Sequence, residues 1–155
     1  MNLIFLDIDG VMNHREHYVR SKYHTLQEFC PVAVKNLKQI IKVCDAKIVL
    51  SSTWRKFGTT KTLRKLIFSQ YGLQQYLIGK TPVLQNEPRG KEIQLYLRRL
   101  RKPTANFIII DDDDDMEEFL PHLVQTSFFD KGLNEAKRDE AIALLRTHVE
   151  GEVLT

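Results

Sequence analysis

An aspartate pair near the start of the sequence has the residue types and the spacing that a metal-dependent reaction needs. Asp7 and Asp9 lie two residues apart in the segment FLDIDGV, and Gly10 allows the chain to turn sharply after them. Carboxylates held in this way can bind Mg²⁺ and attack a phosphorus atom. Taken alone, the pair is equally consistent with a turn that carries two solvated aspartates.

A second segment, Ser51 to Arg55, offers hydroxyl groups directly after an apolar run. A hydroxyl group and the backbone amides near it can bind and orient a phosphoryl oxygen. The same residues, taken alone, are more typical of an ordinary helix N-cap. The chemical interpretation therefore depends on the other motifs.

A run of five aspartates, Asp111 to Asp115, follows the apolar residues FIII and precedes another apolar segment at residues 116–120. These flanks argue against a disordered acidic tract. Carboxylates at this position could complete an oxygen shell for Mg²⁺, which prefers a few carboxylates together with waters and phosphate. The run is therefore a candidate set of metal ligands.

Three apolar runs precede these motifs and predict the strands that position them. Their composition is that of buried parallel strands, and they span residues 2–6, 47–50 and 106–110. Helical periodicity lies between and after them, at residues 32–43, 60–71 and 92–100. This alternation predicts an α/β domain with right-handed crossovers, so that the carboxyl ends of the strands meet at one edge, where ligands bind.

The remaining segments predict smaller elements and a flap. Short strands are expected at residues 77–78 and 123–128, and a helix at 135–148 with Asn134 as its N-cap. The irregular segment 12–30 leaves the predicted sheet just after Asp9, and loops of that length are usually functional. We expect one domain over residues 1–155, with residues 12–30 as a flap or small cap.

The composition predicts a folded protein and narrows its location. The 155 residues are 43% hydrophobic and 28% charged, and the formal net charge of +3 by itself indicates no partner. Two cysteines, Cys30 and Cys44, are too few for disulfide bonds to stabilise a domain of this size. This favours a location in the reducing cytoplasm. No apolar stretch approaches the length of a membrane span, so we expect a protein that is neither exported nor embedded in a membrane.

Taken together, the motifs follow one order along the chain: an acid pair, a hydroxyl, a cation and an acid run. The segments FLDIDGV, VLSSTWR, RGKEI and IIIDDDDDM resemble the haloacid dehalogenase (HAD) superfamily, and most closely its small branch in Swiss Army Knife RNA repair proteins. The resemblance extends from Leu3 to the turn at residues 132–134. It implies a Rossmann-like parallel sheet with helices on both faces and a minimal cap.

The resemblance also implies roles for the motif residues. Asp7 would form a phospho-aspartyl intermediate, Asp9 would act first as general acid and then as general base, and Ser51 would hold the transferring phosphoryl group. The cofactor implied is Mg²⁺. Its ligands would be Asp7, the Asp9 backbone carbonyl and Asp111, with Asp112 or Asp115 in support.

Two further assignments remain open in the sequence. The superfamily commonly has a lysine before the helix that precedes its last motif, and here Arg89 and Lys91 compete for that position; we favour Arg89 because Gly90 follows it. Contacts with the substrate beyond its phosphate are assigned to Ser52, Trp54 and Arg55. A core tryptophan beside a surface arginine is an equally consistent interpretation of the last two.

The function expected from this resemblance is Mg²⁺-dependent hydrolysis of phosphomonoesters, with a nucleic-acid end or a nucleotide as the substrate. A phosphatase of small metabolites is the first alternative. A non-catalytic, receiver-like module that binds Mg²⁺ and phosphate is the second. The motif order argues against a receiver, in which the acid pair follows the first strand and the acceptor aspartate ends an internal strand.

Overall fold

A single parallel sheet forms the centre of the structure, a computed structural model that describes residues 1–100 and 106–154. The strands are β1 (Asn2–Leu6), β2 (Ala46–Leu50), β3 (Leu77–Lys80), β4 (Phe107–Asp111) and β5 (Leu123–Gln125). Their order across the sheet is β3-β2-β1-β4-β5, and every neighbouring pair is parallel. The central strand β1 is therefore hydrogen-bonded on both sides, and Asp7 follows it in the middle of the sheet edge.

Helices cover both faces of this sheet. They are α1 (Pro31–Cys44), α2 (Thr60–Leu66), α3 (Arg89–Arg99) and α4 (Glu135–Leu154). Alternate strand residues point to opposite faces, so Ile4 and its neighbours pack under α1, α2 and α4, whereas Phe5 and its neighbours pack under α3. The α/β, Rossmann-like sheet with helices on both faces that the sequence predicts is confirmed.

The element boundaries differ from the sequence prediction where local contacts intervene. The helix predicted at residues 60–71 ends at Leu66 and is followed by a 3₁₀ turn, Phe68–Tyr71, which stops at Gly72 with a φ of 68°. The strand predicted at 123–128 ends at Gln125, because the amides of Asp130 and Gly132 turn back to the Ser127 carbonyl. Helix α4 begins as predicted, with Asn134 accepting the Lys137 amide at 2.9 Å.

The segment at residues 12–30 is irregular, as its sequence indicates, and it is closed at its base. The Cys30 amide donates to the Met12 carbonyl at 2.6 Å, so the two ends of the segment lie together. Within it, only isolated bridges join His14 to His17 and Arg20 to Gln27. That this segment acts as a flap, and that residues 1–155 form one domain, stay predictions. Among the described residues, no helix has the length and hydropathy that a membrane span requires.

Candidate active site

Three of the predicted site residues meet at the carboxyl edge of the sheet because each follows or ends a neighbouring strand. Asp7 follows β1, and its amide donates to the Ile110 carbonyl of β4 at 3.0 Å. Ser51 follows β2, and its amide donates to the Leu6 carbonyl of β1 at 2.9 Å. Asp111 is the last residue of β4. The backbone ladder of the sheet thus fixes the spacing between the motifs.

Three carboxylates converge at this edge. One oxygen from each of Asp7, Asp111 and Asp112 lies within 4.8 Å of the others. Asp7 is 6% exposed and Asp111 is fully buried, whereas Asp112 is exposed. The loop after β1 reaches the Asp112 carboxylate because position 10 is glycine, with a φ of 82°; a Cβ there would lie 2.3 Å from the nearer carboxylate oxygen.

Arg89 supplies the cation of the cluster. Its Nη1 lies 3.2 Å from Asp7 Oδ1 and 2.5 Å from Asp111 Oδ2. Burial lowers the pKa of Arg89, but the carboxylates of Asp111 and Asp7 more than offset this and raise it above its ordinary value. Lys91 is exposed, one position past Gly90 in α3. Of the two competing cations, the structure therefore brings only Arg89 to the carboxylates.

The negative charge of the cluster exceeds what Arg89 balances. Burial, followed by the charge of Asp111, raises the pKa of Asp7 to about 9, and Asp112 adds to this while Arg89 opposes it. Burial likewise raises the pKa of Asp111 despite its contact with Arg89. Three close carboxylate oxygens with excess charge are the donor set that a hard divalent cation such as Mg²⁺ favours. The residues therefore fit the metal that the family implies.

Ser51 offers a hydroxyl group at the same edge of the sheet. Ser51 is fully buried, and its Oγ has no hydrogen-bond partner among the described residues. A buried hydroxyl without a partner is unusual, because losing its hydrogen bonds to water costs about 1–3 kcal/mol. A phosphoryl oxygen bound at the strand ends would accept this hydrogen bond.

Asp9 is held by side chains of two other segments. Asn13 Nδ2 donates to its Oδ1 at 2.8 Å, and Trp54 Nε1 donates to its Oδ2 at 3.2 Å. Asn13 also accepts the Gly10 amide at 3.0 Å, which ties it to the same loop. The Asp9 side chain lies outside the three-carboxylate cluster, and a metal contact through its carbonyl stays a prediction. No sequence signal identified Asn13.

Helix α3 is anchored by a residue that the sequence analysis assigned to the metal. Asp115 Oδ2 accepts the Arg89 amide at 3.0 Å, and the Asp115 carbonyl accepts the Gly90 amide at 3.0 Å. Of the two residues predicted to support the metal, Asp112 lies in the cluster, whereas the Asp115 carboxylate caps the helix, and a metal contact by Asp115 stays a prediction. A Cβ at Gly90 would lie 2.4 Å from the Met116 carbonyl oxygen, so glycine permits this close approach.

The residues after Ser51 make contacts within the protein, and their predicted contact with substrate stays a prediction. Ser52 Oγ accepts the Trp54 amide at 3.1 Å and begins the 3₁₀ helix Thr53–Phe57, and Trp54 is 4% exposed. Arg55, also 4% exposed, donates to the Ser51 and Ser52 carbonyls and to Glu92 at 2.7 Å. All three residues are therefore built into the support of the site. Glu92, three residues after Arg89, was missed, although that spacing places both on one helix face.

A comparison with protein families identifies this arrangement. The family model described as the HAD domain in Swiss Army Knife RNA repair proteins matches residues 3–137. The chain belongs to this family. The match includes every motif of the HAD domain described above and confirms the resemblance drawn from the sequence. Membership implies a phosphatase-type function. No curated protein and no solved structure matches the chain.

Burial of the Asp7 carboxyl group should lower the stability of the HAD domain at alkaline pH when no metal is bound. Folded Asp7 holds its proton to a pH of about 9, whereas an unfolded aspartate releases it near pH 4, so stability falls as the pH rises between these values. We expect Asp7→Asn to raise the free energy of unfolding by about 1–3 kcal/mol in EDTA at pH 8, and by less at pH 5. Urea denaturation at both values measures this.

The exposed Asp113, whose carboxylate accepts the neighbouring Asp114 amide and lies outside the three-carboxylate cluster, provides the matched control Asp113→Asn. That variant should leave the denaturation midpoint unchanged at both pH values. Mg²⁺ should raise the midpoint of the wild type and of Asp113→Asn more than that of Asp7→Asn, because a ligand that binds only the folded state stabilises it. An Asp7→Asn midpoint equal to that of the wild type at pH 8 would show that the cluster is not strained.

Proposed function

We propose that this HAD domain is a Mg²⁺-dependent phosphomonoester hydrolase in which Asp7 is the nucleophile. The observation that carries the proposal is the convergence of Asp7, Asp111 and Asp112 with the Arg89 guanidinium at the carboxyl ends of β1 and β4. The Ser51 hydroxyl, which has no hydrogen-bond partner in the described part of the chain, follows β2 and adds a donor for a phosphoryl oxygen. A carboxylate nucleophile, a guanidinium that balances charge and a hydroxyl that can bind phosphate thus lie at one edge of the sheet.

The reaction follows in two steps from these positions. In the first, an Asp7 carboxylate oxygen attacks phosphorus, the bond from phosphorus to the ester oxygen breaks, and protonated Asp9 gives its proton to the leaving oxygen. In the second, Asp9 accepts a proton from water as that water attacks the phospho-aspartyl group, which releases phosphate and restores Asp7. Mg²⁺, when bound by Asp7, Asp111 and Asp112, would offset the negative charge of the phosphoryl group and the nucleophile.

The preferred substrate is a nucleotide or a nucleic-acid end, and a cavity beside the cluster supports it. The cavity, of about 540 Å³, begins at Asp112 and extends past Phe128 and Phe129 to Lys137. Phe129 is 76% exposed and packs edge-on against Phe128, which Tyr18 contacts in turn. An exposed aromatic ring on a hydrogen-bonded loop offers a surface on which a base can stack. The family description, which names RNA repair, agrees with this substrate class.

Phosphate release is the direct test of the proposal. We expect turnover of phosphorylated oligonucleotides or nucleotides that requires Mg²⁺, is lost in EDTA, and is abolished by Asp7→Asn, because the amide cannot attack phosphorus. The screen should include sugar phosphates and 3′- and 5′-phosphorylated oligonucleotides, so that the preferred substrate class is measured too. Asp113→Asn is the matched control.

Each other outcome of the screen contradicts part of the proposal. Turnover by Asp7→Asn at the wild-type rate would exclude Asp7 as the nucleophile. A preference for sugar phosphates would favour a metabolite phosphatase. A stable phospho-aspartyl group without release of phosphate would favour a receiver-like module.

Arg89, and not Lys91, should be the cation that catalysis requires. Arg89→Ala removes the only described guanidinium in contact with the cluster, and we expect kcat to fall by about 10²–10³-fold, as for loss of one donor to a developing charge. Arg89→Lys should retain part of the rate, since both contacts are made by the single atom Nη1, whose charge an ammonium group can supply without the planar geometry of the guanidinium. Lys91→Ala should stay within about twofold of wild type. A larger loss in Lys91→Ala would reverse the assignment.

Phe129 should contribute to the binding of the base and not to the chemical step. Base stacking on an aromatic ring is worth about 1–3 kcal/mol, so Phe129→Ala should raise KM for a mononucleotide about tenfold or more and leave kcat nearly unchanged. Phe57, which is 57% exposed and does not line this cavity, gives the control Phe57→Ala. Equal effects of Phe129→Ala on a mononucleotide and on glycerol phosphate would contradict base stacking.

A further inference from the structure

The chain has a single tryptophan, and its polar atom is directed at the proposed acid-base residue. The ring of Trp54 is 4% exposed, yet its Nε1 donates to Asp9 Oδ2 at 3.2 Å. A phenylalanine would fill the same apolar space without a buried N–H that needs an acceptor. The hydrogen bond, more than the packing, therefore distinguishes tryptophan at this position.

Contacts from three segments fix the orientation of this ring. Ser52 caps the backbone amide of Trp54 at the end of β2. The rings of His24 and Phe29, both in the segment 12–30, lie 6.1 and 5.7 Å from the Trp54 ring. Phe29 is itself stacked on Tyr71 at 4.3 Å. The indole N–H thus points at Asp9 from a rigid aromatic cluster.

The Asp9 carboxylate is held at both of its oxygens. Asn13 binds Oδ1 and Trp54 binds Oδ2, so rotation of the carboxylate breaks one contact or the other. Each oxygen keeps a second lone-pair direction, which leaves it able to carry or receive a proton. Asn13 alone, on the same loop as Asp9, would leave Oδ2 without a partner among these contacts.

We propose that Trp54 is a positioning residue, whose indole N–H holds the Asp9 carboxylate where it transfers protons to and from the reacting oxygens. The inference rests on the proposed function. In the first step Asp9 donates a proton to the ester oxygen as its bond to phosphorus breaks, and a misaligned carboxylate leaves that oxygen as an alkoxide. A poor leaving group needs this proton in the transition state, whereas a good leaving group departs as a stable anion.

The kinetic test compares leaving groups. Trp54→Phe keeps an aromatic ring in the cluster and removes only the donor. We expect kcat/KM to fall about tenfold or more for an alkyl phosphate, and less than about twofold for p-nitrophenyl phosphate. The comparison uses kcat/KM because, for this mechanism, that ratio depends on substrate binding and on phosphoryl transfer to Asp7. It does not depend on the later hydrolysis of the intermediate. Equal losses on the two substrates, or no loss on either, would overturn the inference.

A double-mutant cycle separates positioning from general damage to the fold. In an Asp9→Asn background, which already lacks the acid, Trp54→Phe should cause no further loss on the alkyl phosphate. Tyr96→Phe is the matched control, since it removes a polar atom from an aromatic ring on the opposite face of the sheet, away from the Trp54 cluster. It should show no dependence on the leaving group. An additive loss in the double variant would assign Trp54 a merely structural role.

A spectroscopic measurement tests the contact independently of activity. A single tryptophan gives a single indole N–H signal in a ¹⁵N-labelled sample. Asp9→Ala should shift that signal and speed its exchange with water, whereas Asp113→Ala should change neither. An indole signal unaffected by Asp9→Ala would overturn the inference even if the enzyme is active. If the wild type lacks phosphatase activity but its indole signal still depends on Asp9, the proposed function is wrong and the contact between Trp54 and Asp9 is right.

Discussion

The site brings three carboxylates close together, and the surrounding elements hold them there against their mutual repulsion. Asp7, Asp111 and Asp112 repel one another at the edge of the sheet, and burial deepens the cost of their charges. They cannot move apart freely, because Asp7 is joined to the Ile110 carbonyl in the ladder between β1 and β4. Those strands are buried under helices on both faces, apart from the half-buried Asn2 at the start of β1. Burial of the apolar core thus offsets the destabilising effect of these carboxylates.

The position of Arg89 depends in turn on a second buried ion pair. Arg55 and Glu92 join the segment after β2 to α3 at 2.7 Å, and both side chains are almost wholly buried. Such a pair adds little net stability, but removing one partner leaves a buried charge and costs about 3–5 kcal/mol. It therefore fixes the start of α3, and with it Arg89, relative to Ser51. Local order at the site is thus gained from a buried ion pair outside the three-carboxylate cluster.

The sequence predicts the parts of the site that follow from topology. Because parallel strands end at one edge, the neighbourhood of Asp7 and Asp111 could be derived from apolar runs and motif order. The sequence could not distinguish Asp112 from Asp115, because both are aspartates. The turn after β4 directs Asp112 to the cluster and Asp115 to α3. Nor could the sequence place Arg55 in the interior, because its partner lies 37 residues away.

The C-terminal helix has a consequence for where this domain ends. The family match stops at residue 137, yet α4 continues to Leu154 and packs on α1, with Ala141 fully buried and Leu145 1% exposed. A chain cut at the limit of the match would retain every strand and every motif. It would also uncover an apolar helix surface, and such surfaces promote self-association. The packed structure therefore extends beyond the region of sequence similarity.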